Sequence, residues 1–181
     1  MSDAVPWIEE PVSRRHQRGD FDCGVAELNE YLARYARQNH ESGGAKTFVA
    51  VPPAEPALVY GYYSISPGAI EFARIPARLT QRLGRYEVPV FRLGRLAVSR
   101  AMQGKGLGAE LMLAAGVRAL SVATQIGGVA LAIDAKNDRA ATWYRRFGAV
   151  SLLDDPLKLI LPLETVAAAV AVAARRPRLS V

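Results

Sequence analysis

Cysteine is nearly missing: Cys23 stands alone among 181 residues. A single thiol cannot close an intrachain disulfide and cannot build a cysteine cage for zinc. Histidine is almost as scarce, with only His16 and His40, so a histidine-based metal site is disfavoured and no metal is expected. Half of the chain is hydrophobic, yet no uninterrupted apolar run approaches the roughly 18 residues of a membrane span. The opening stretch MSDAVPWIEEPVSRRHQRGD lacks the apolar centre of a secretory signal and carries acids. These absences lead us to expect a soluble cytoplasmic protein with no membrane partner. Lysine is rare too. Of the 23 basic side chains 19 are arginine, and the net charge is +6. Arginine's planar fork pairs with phosphate and stacks on bases, which suits a nucleic-acid partner. A genome rich in G and C produces the same bias, so basicity leaves both readings open.

The residues that are present predict one domain over residues 1–181, with 1–20 as an N-terminal strand and basic loop and 164–181 as a C-terminal extension. Trp7–Pro11 reads as an edge strand and Val25–Gln38 as a helix whose Leu28, Leu32, Tyr35 and Ala36 recur at helical spacing. Thr47–Val51 and Ala57–Ile65 read as strands around a proline-rich loop, with Gly61 as a bulge. Ala77–Leu83 suggests a short helix. Ala109–Val122 is apolar on nearly every side and should be buried against a sheet. Gly128–Ala135 has the continuous apolar run of a strand covered on both faces. Asn137 can cap a helix that Gly148 ends, Val150–Leu153 and Leu157–Leu161 look like a closing pair of strands, and Glu164–Arg175 is Ala/Val-rich and helical in character. Arg175-Arg176-Pro177-Arg178 reads as a basic tail. The order predicts an α/β fold with a mixed, mostly antiparallel central sheet and helices on both faces.

The most informative stretch is Phe91–Gly108, a strand that ends in a glycine-rich turn and opens a helix. Gln103-Gly104-Lys105-Gly106-Leu107-Gly108 holds three glycines in six residues. Glycine permits positive φ and close approach of a ligand, and unpaired amides at a helix start make a seat for phosphate. The spacing fits neither a Walker loop nor a Rossmann fingerprint. It fits Q/R-x-x-G-x-G/A through Gln103, Gly106 and Gly108. That pattern is the acetyl-CoA pyrophosphate loop of the GNAT acetyltransferases, which this chain strongly resembles. An ordinary strand–turn–helix is the bland alternative.

The resemblance implies the GNAT fold, with acetyl-CoA as cosubstrate in a splayed cleft beside the central strand. Its pantetheine arm would pair with backbone around Leu96, Ala97 and Val98, its pyrophosphate with Gln103–Gly108. Tyr144 matches the family's general-acid tyrosine, and Asn137 the family's coenzyme-contacting asparagine. On the residues alone, Tyr144 could equally be a core tyrosine and Asn137 a simple cap. No carboxylate stands out as a base. A lysine amine with pKa ~10.4 is only about 0.1% neutral at pH 7.4, whereas an α-amine near ~7.7 is roughly one-third neutral, so such a site suits an α-amine better.

Longer motifs narrow the likeness: Phe21-Asp22-Cys23-Gly24-x-x-x-Leu28-Asn29-x-Tyr31-Leu32, Gly61-Tyr62-Tyr63-Ser64, Leu93-Gly94-Arg95-Leu96-Ala97-Val98, Ala135-Lys136-Asn137-Asp138-x-Ala140-Ala141 and Asp155-Pro156-Leu157-x-Leu159. Together, from about Phe21 to Leu163, they resemble the GNAT toxins of bacterial type II toxin–antitoxin systems, which acetylate the α-amine of aminoacyl-tRNA and stop translation. The resemblance implies a cognate ribbon-helix-helix antitoxin and a homodimer. Arg78, Arg82, Arg92, Arg95, Arg145 and Arg146 are candidates for tRNA contact, Arg92 and Arg95 foremost; solvated or salt-bridged surface is the alternative for each. An acetyltransferase of a small-molecule or protein amine, and a non-enzymatic acetyl-CoA-binding module, are the other functions in view.

Overall fold

A computed structural model describes residues 5–175, so Arg176-Pro177-Arg178 lie outside the described residues. Seven strands, β1 Ile8–Pro11, β2 Lys46–Val51, β3 Gly61–Glu71, β4 Glu87–Val98, β5 Ala130–Asp134, β6 Val150–Ser151 and β7 Lys158–Pro162, form a mixed, mostly antiparallel sheet in the order β1-β2-β3-β4-β5-β7-β6. Five α-helices accompany them: α1 Ala26–Glu30, α2 Ala36–Ser42, α3 Leu107–Ile126, α4 Asp138–Arg145 and α5 Leu163–Arg175. The chain divides into two compact units, Met1–Ser66 with Leu93–Ala115, and Pro67–Arg92 with Gly116–Val181.

In the first unit β1, β2 and β3 pair antiparallel, with Ile8 opposite Val51 and Val49 opposite Tyr62. Their core gathers Leu32, Ala36, Val49, Val51, Tyr62 and Ala97, each almost wholly withdrawn from water. The expected helix over Val25–Gln38 is longer and interrupted. Between α1 and α2 the residues Tyr31–Tyr35 form a π-turn, in which the Ala36 N–H donates to the Tyr31 carbonyl five residues back. Arg18 Nη1 supports the turn by donating to the carbonyls of Ala33 at 2.9 Å and Leu32 at 3.4 Å. Gly43 then ends α2 in the left-handed conformation, at φ 83°.

The structure corrects several expectations. Gly61 is no bulge: it opens β3, and a Cβ there would stand 2.8 Å from the Ala97 carbonyl oxygen and 2.9 Å from Leu111 Cδ1. Close approach of backbone, not an extra residue, excludes a side chain. Strand β3 also continues through Pro67, exposed in mid-strand, to Glu71. Helix α3 is apolar, but only one stripe of it is buried, including Leu111, Met112, Ala115 and Ala119, while Leu113 and Val117 stay 40% and 43% exposed. By length and composition α3 also meets the criteria for a membrane span, although Glu110 and Arg118 interrupt its apolar run. The expected helix over Ala77–Leu83 shrinks to a single 3-10 turn, Ala77–Leu79, and another such turn, Phe72–Arg74, precedes it.

In the second unit β5 and β7 pair antiparallel and β6 adds to β7. Ile70, Val88, Val90, Ala130, Ala132 and Ile160 make its core. The first turn of α5 docks through Leu163 and Val166, and Gly116 has no room for a Cβ because Val166 Cγ1 would lie 2.8 Å away.

Candidate active site

The glycine-rich turn belongs to the first unit and is fastened there by the Phe21–Asn29 motif. Asp22 Oδ1 accepts from the Gly24 N–H at 2.8 Å and from Asn29 Nδ2 at 2.9 Å, and Asn29 Oδ1 accepts from the Cys23 N–H at 2.9 Å. The Gly24 amide first, then Asn29, with Arg100 adding its charge, hold the Asp22 carboxyl below its ordinary pKa. Across from this knot, Gln103 Nε2 donates to the carbonyls of Cys23 at 2.9 Å and Val98 at 3.0 Å. Gln103 therefore ties the end of β4 to the motif, and its amide is spent on shaping the turn.

Gly104 and Gly106 follow at φ 75° and 87°, and a Cβ at either would meet nothing within 4 Å. Positive φ with open space outside is what a ligand cradle requires. Lys105 is exposed between them, and Leu107, buried, starts α3. The first bonds back into the helix come from Ala109 and Glu110, both to the Gly106 carbonyl. The amides of Leu107 and Gly108 thus precede the ladder and carry the positive end of a 20-residue helix. The donor set fits a pyrophosphate. Leu96 and Val98 of β4 are partly exposed and Ala97 is buried. Just upstream Gly94 and Arg95 are both exposed, which breaks the two-residue alternation of the strand.

Asn137 and Tyr144 lie in the second unit, two turns apart on α4. Asn137 is the cap: its Oδ1 accepts from the Ala140 N–H at 2.9 Å. Tyr144 is half-buried, its ring 4.9 Å from that of Trp143, which packs in turn at 4.7 Å on Phe147. Burial pushes the Tyr144 phenol up to about 12. Such a group keeps its proton throughout the physiological range, which suits a donor and disqualifies a base.

The arginines separate by what each already holds. Arg92 Nη1 is 3.9 Å from Asp134 Oδ2. Arg145 donates to Ser151 Oγ at 2.8 Å and the Pro156 carbonyl at 3.1 Å, fixing the turn of the Asp155-Pro156-Leu157 motif. Arg78 and Arg82 are exposed and line a cavity of about 690 Å³ with Ile75, Leu79, Leu83 and Val88. Neither Asn137 nor Tyr144 borders that cavity. Arg146 is exposed. Arg95 lies over Tyr31, its guanidinium carbon 3.7 Å from the ring centroid. Tyr31 stands in the Phe21–Leu32 motif of the sequence, but its contact with Arg95 is not legible there, because the two residues lie far apart along the chain. No cluster of metal-ligating side chains occurs among the described residues.

Comparison with known proteins agrees with this geometry. Residues 59–148 match the acetyltransferase (GNAT) domain family. A tRNA-acetylating toxin of Mycobacterium tuberculosis strain H37Rv is 36% identical over 141 residues, 78% of this chain and 82% of the relative. AtaT complexed with acetyl-methionyl-tRNAfMet superposes with a TM-score of 0.85 at 25% identity, covering 91% of this chain and 99% of that one. AtaTR bound with acetyl-CoA gives 0.79 at 26% identity, with 91% and 98% covered. The fastened glycine cradle, the α4 tyrosine and these likenesses lead to one conclusion: the chain belongs to the GNAT acetyltransferases.

Proposed function

We propose that the chain is a toxin that transfers an acetyl group from acetyl-CoA to the α-amine of aminoacyl-tRNA and so blocks translation. The observation that carries this reading is the 36% identity, over most of both chains, with a tRNA-acetylating toxin. The open cradle at Gly104–Gly108 supports the coenzyme's role in it.

When bound, acetyl-CoA supplies an activated thioester. The turn amides and the α3 N-terminus hold the pyrophosphate, with Lys105 adding a point charge. Asn137 is the further coenzyme contact, compatible with its capping bond. The backbone of Leu96 to Val98 receives the pantetheine amides. The amine nitrogen of the acceptor bonds to the acetyl carbon, the carbon–sulfur bond breaks, and the electron pair stays on sulfur. Tyr144 donates its phenolic proton there, and the proton leaving the new amide restores the balance through water. The exposed arginines, Arg78, Arg82, Arg92, Arg95 and Arg146, engage the tRNA phosphates, Arg92 and Arg95 foremost; Arg145, tied to Ser151 and Pro156, is the weakest of the arginine candidates.

A charged-tRNA substrate places the activity in the cytoplasm, and the toxin reading brings a ribbon-helix-helix antitoxin as partner. The test is labelled acetyl-CoA offered in parallel to charged tRNA, deacylated tRNA, spermidine and a lysine peptide. Label on charged tRNA alone is expected. Label on spermidine or the peptide but not on charged tRNA would overturn the reading.

A further inference from the structure

The proposed acceptor is a polyanion, and the role assigned to Tyr31 and Arg95 rests on that reading of the function. An exposed arginine that waves in solvent must give up its rotamer freedom when it meets a phosphate. One held in place beforehand loses less. Arg92 and Arg145 have partners on the protein, and no carboxylate or ring lies against Arg78, Arg82 or Arg146 among the described residues. Arg95 differs from all of them. It is exposed, it has no ion pair among the described residues, and its guanidinium lies 3.7 Å above the centre of the Tyr31 ring. A guanidinium held at its carbon over a ring keeps N–H donors for a phosphate, which it can meet two bonds at a time.

The ring beneath is itself immobile. Tyr31 is 4% exposed, stacks on Tyr62 with centroids 6.2 Å apart and planes 24° from parallel, and brings its hydroxyl to 3.4 Å from Thr47 Oγ1. It begins the π-turn that Arg18 props from outside through the carbonyls of Ala33 and Leu32. Single π-turns inside helices cost regular hydrogen bonding and recur at functional sites. Here the turn accounts for a buried tyrosine presenting its ring to an exposed cation.

We propose that Tyr31 is a positioning residue: it holds Arg95 over its ring so that the N–H groups of the guanidinium bind one phosphate of the tRNA acceptor. Coenzyme A also carries phosphates, so the experiment varies charged tRNA and acetyl-CoA separately. Steady-state kinetics on Tyr31→Leu, Tyr31→Phe, Arg95→Ala, Arg95→Lys and the double variant Tyr31→Leu/Arg95→Ala give the answer. Tyr31→Leu should raise the KM for charged tRNA about two- to thirty-fold, the worth of a cation–π contact, with the KM for acetyl-CoA unmoved. Tyr31→Phe restores the ring and should recover most of that loss. Arg95→Lys keeps the charge, loses the planar fork, and should fall close to Arg95→Ala. The double variant should be no worse than Arg95→Ala alone, because the ring acts only through the arginine. A rise in the acetyl-CoA KM in place of the tRNA KM overturns the inference, as does a Tyr31→Leu penalty undiminished in the Arg95→Ala background. Wild-type transfer to charged tRNA with an unchanged KM in Arg95→Ala sinks this inference alone; absence of wild-type transfer sinks the functional reading and this with it.

Discussion

At the scale of single residues, the proposed chemistry turns on Tyr144. With its phenol raised to about 12 by burial, it keeps its proton across the physiological range, as the proposed donor must. Tyr144→Phe should keep the fold and acetyl-CoA affinity while lowering turnover about 10²- to 10⁴-fold, the range for a lost general acid. Rapid quench at saturating substrates measures it; near-wild-type turnover would remove Tyr144 from the mechanism. The same residue shapes the pH profile. A raised pKa means that activity is not lost through Tyr144 until the pH climbs towards 12. The rising limb should instead report the acceptor amine, near ~7.7, and kcat/KM for charged tRNA should then stay level to about pH 10. A fall between pH 8 and 9 would contradict the assignment. Gln103 teaches a different lesson. Its identity within the glycine motif was legible in the sequence, but its use was not: both bonds of its amide run to carbonyls of the protein, at Cys23 and Val98.

Secondary-structure elements place those residues, and glycines set their limits. Gly106→Asp adds a negative charge in the open space of the cradle and strains the turn, since φ 87° is a conformation that side-chain-bearing residues rarely adopt. Isothermal titration should show acetyl-CoA affinity lost; unchanged affinity would move the coenzyme away from this turn. Gly128→Ala tests packing instead. Its Cβ would stand 2.4 Å from Phe91 Cε2, and φ 122° strains any side chain there, so we expect a loss of at least about 1–3 kcal/mol in denaturant unfolding. A change below about 0.5 kcal/mol would show that Phe91 moves aside freely. Much at this scale could be read from sequence. The Asn137 cap, the strand–turn–helix at Val98–Leu107 and the closing pair β6 and β7 follow from local chemistry. The π-turn at Tyr31–Tyr35 could not be read, because Leu28, Leu32 and Ala36 keep α-helical spacing on either side of it. Strand β3 was cut short at Ile65 because proline argues against a strand, whereas Pro67 sits exposed within β3. Helix α3 looked buried all round because composition counts apolar residues and not their neighbours.

At the scale of the whole molecule, charge distinguishes the two substrates. An excess of arginine over lysine and a net charge of +6 suit a large polyanion. If phosphate contacts supply the binding energy, log kcat/KM for charged tRNA should fall linearly and steeply with log salt, while the acetyl-CoA dependence stays shallow. Equal slopes would remove the arginines from recognition. The toxin motifs were legible in order along the chain, and the relative of 36% identity bears out the family they suggested. How each arginine is employed was not legible, since that depends on Asp134, Ser151 and Tyr31, all distant in sequence. The most direct measurement is to locate the transferred group. Charged tRNA is incubated with the protein and acetyl-CoA, the ester is cleaved with mild base, and the released amino acid is analysed by mass spectrometry. An amino acid heavier by one acetyl group on its α-nitrogen, with unmodified nucleotides, is the predicted result. Acetyl found on a nucleotide base, or a free amino acid of unchanged mass, would contradict the account.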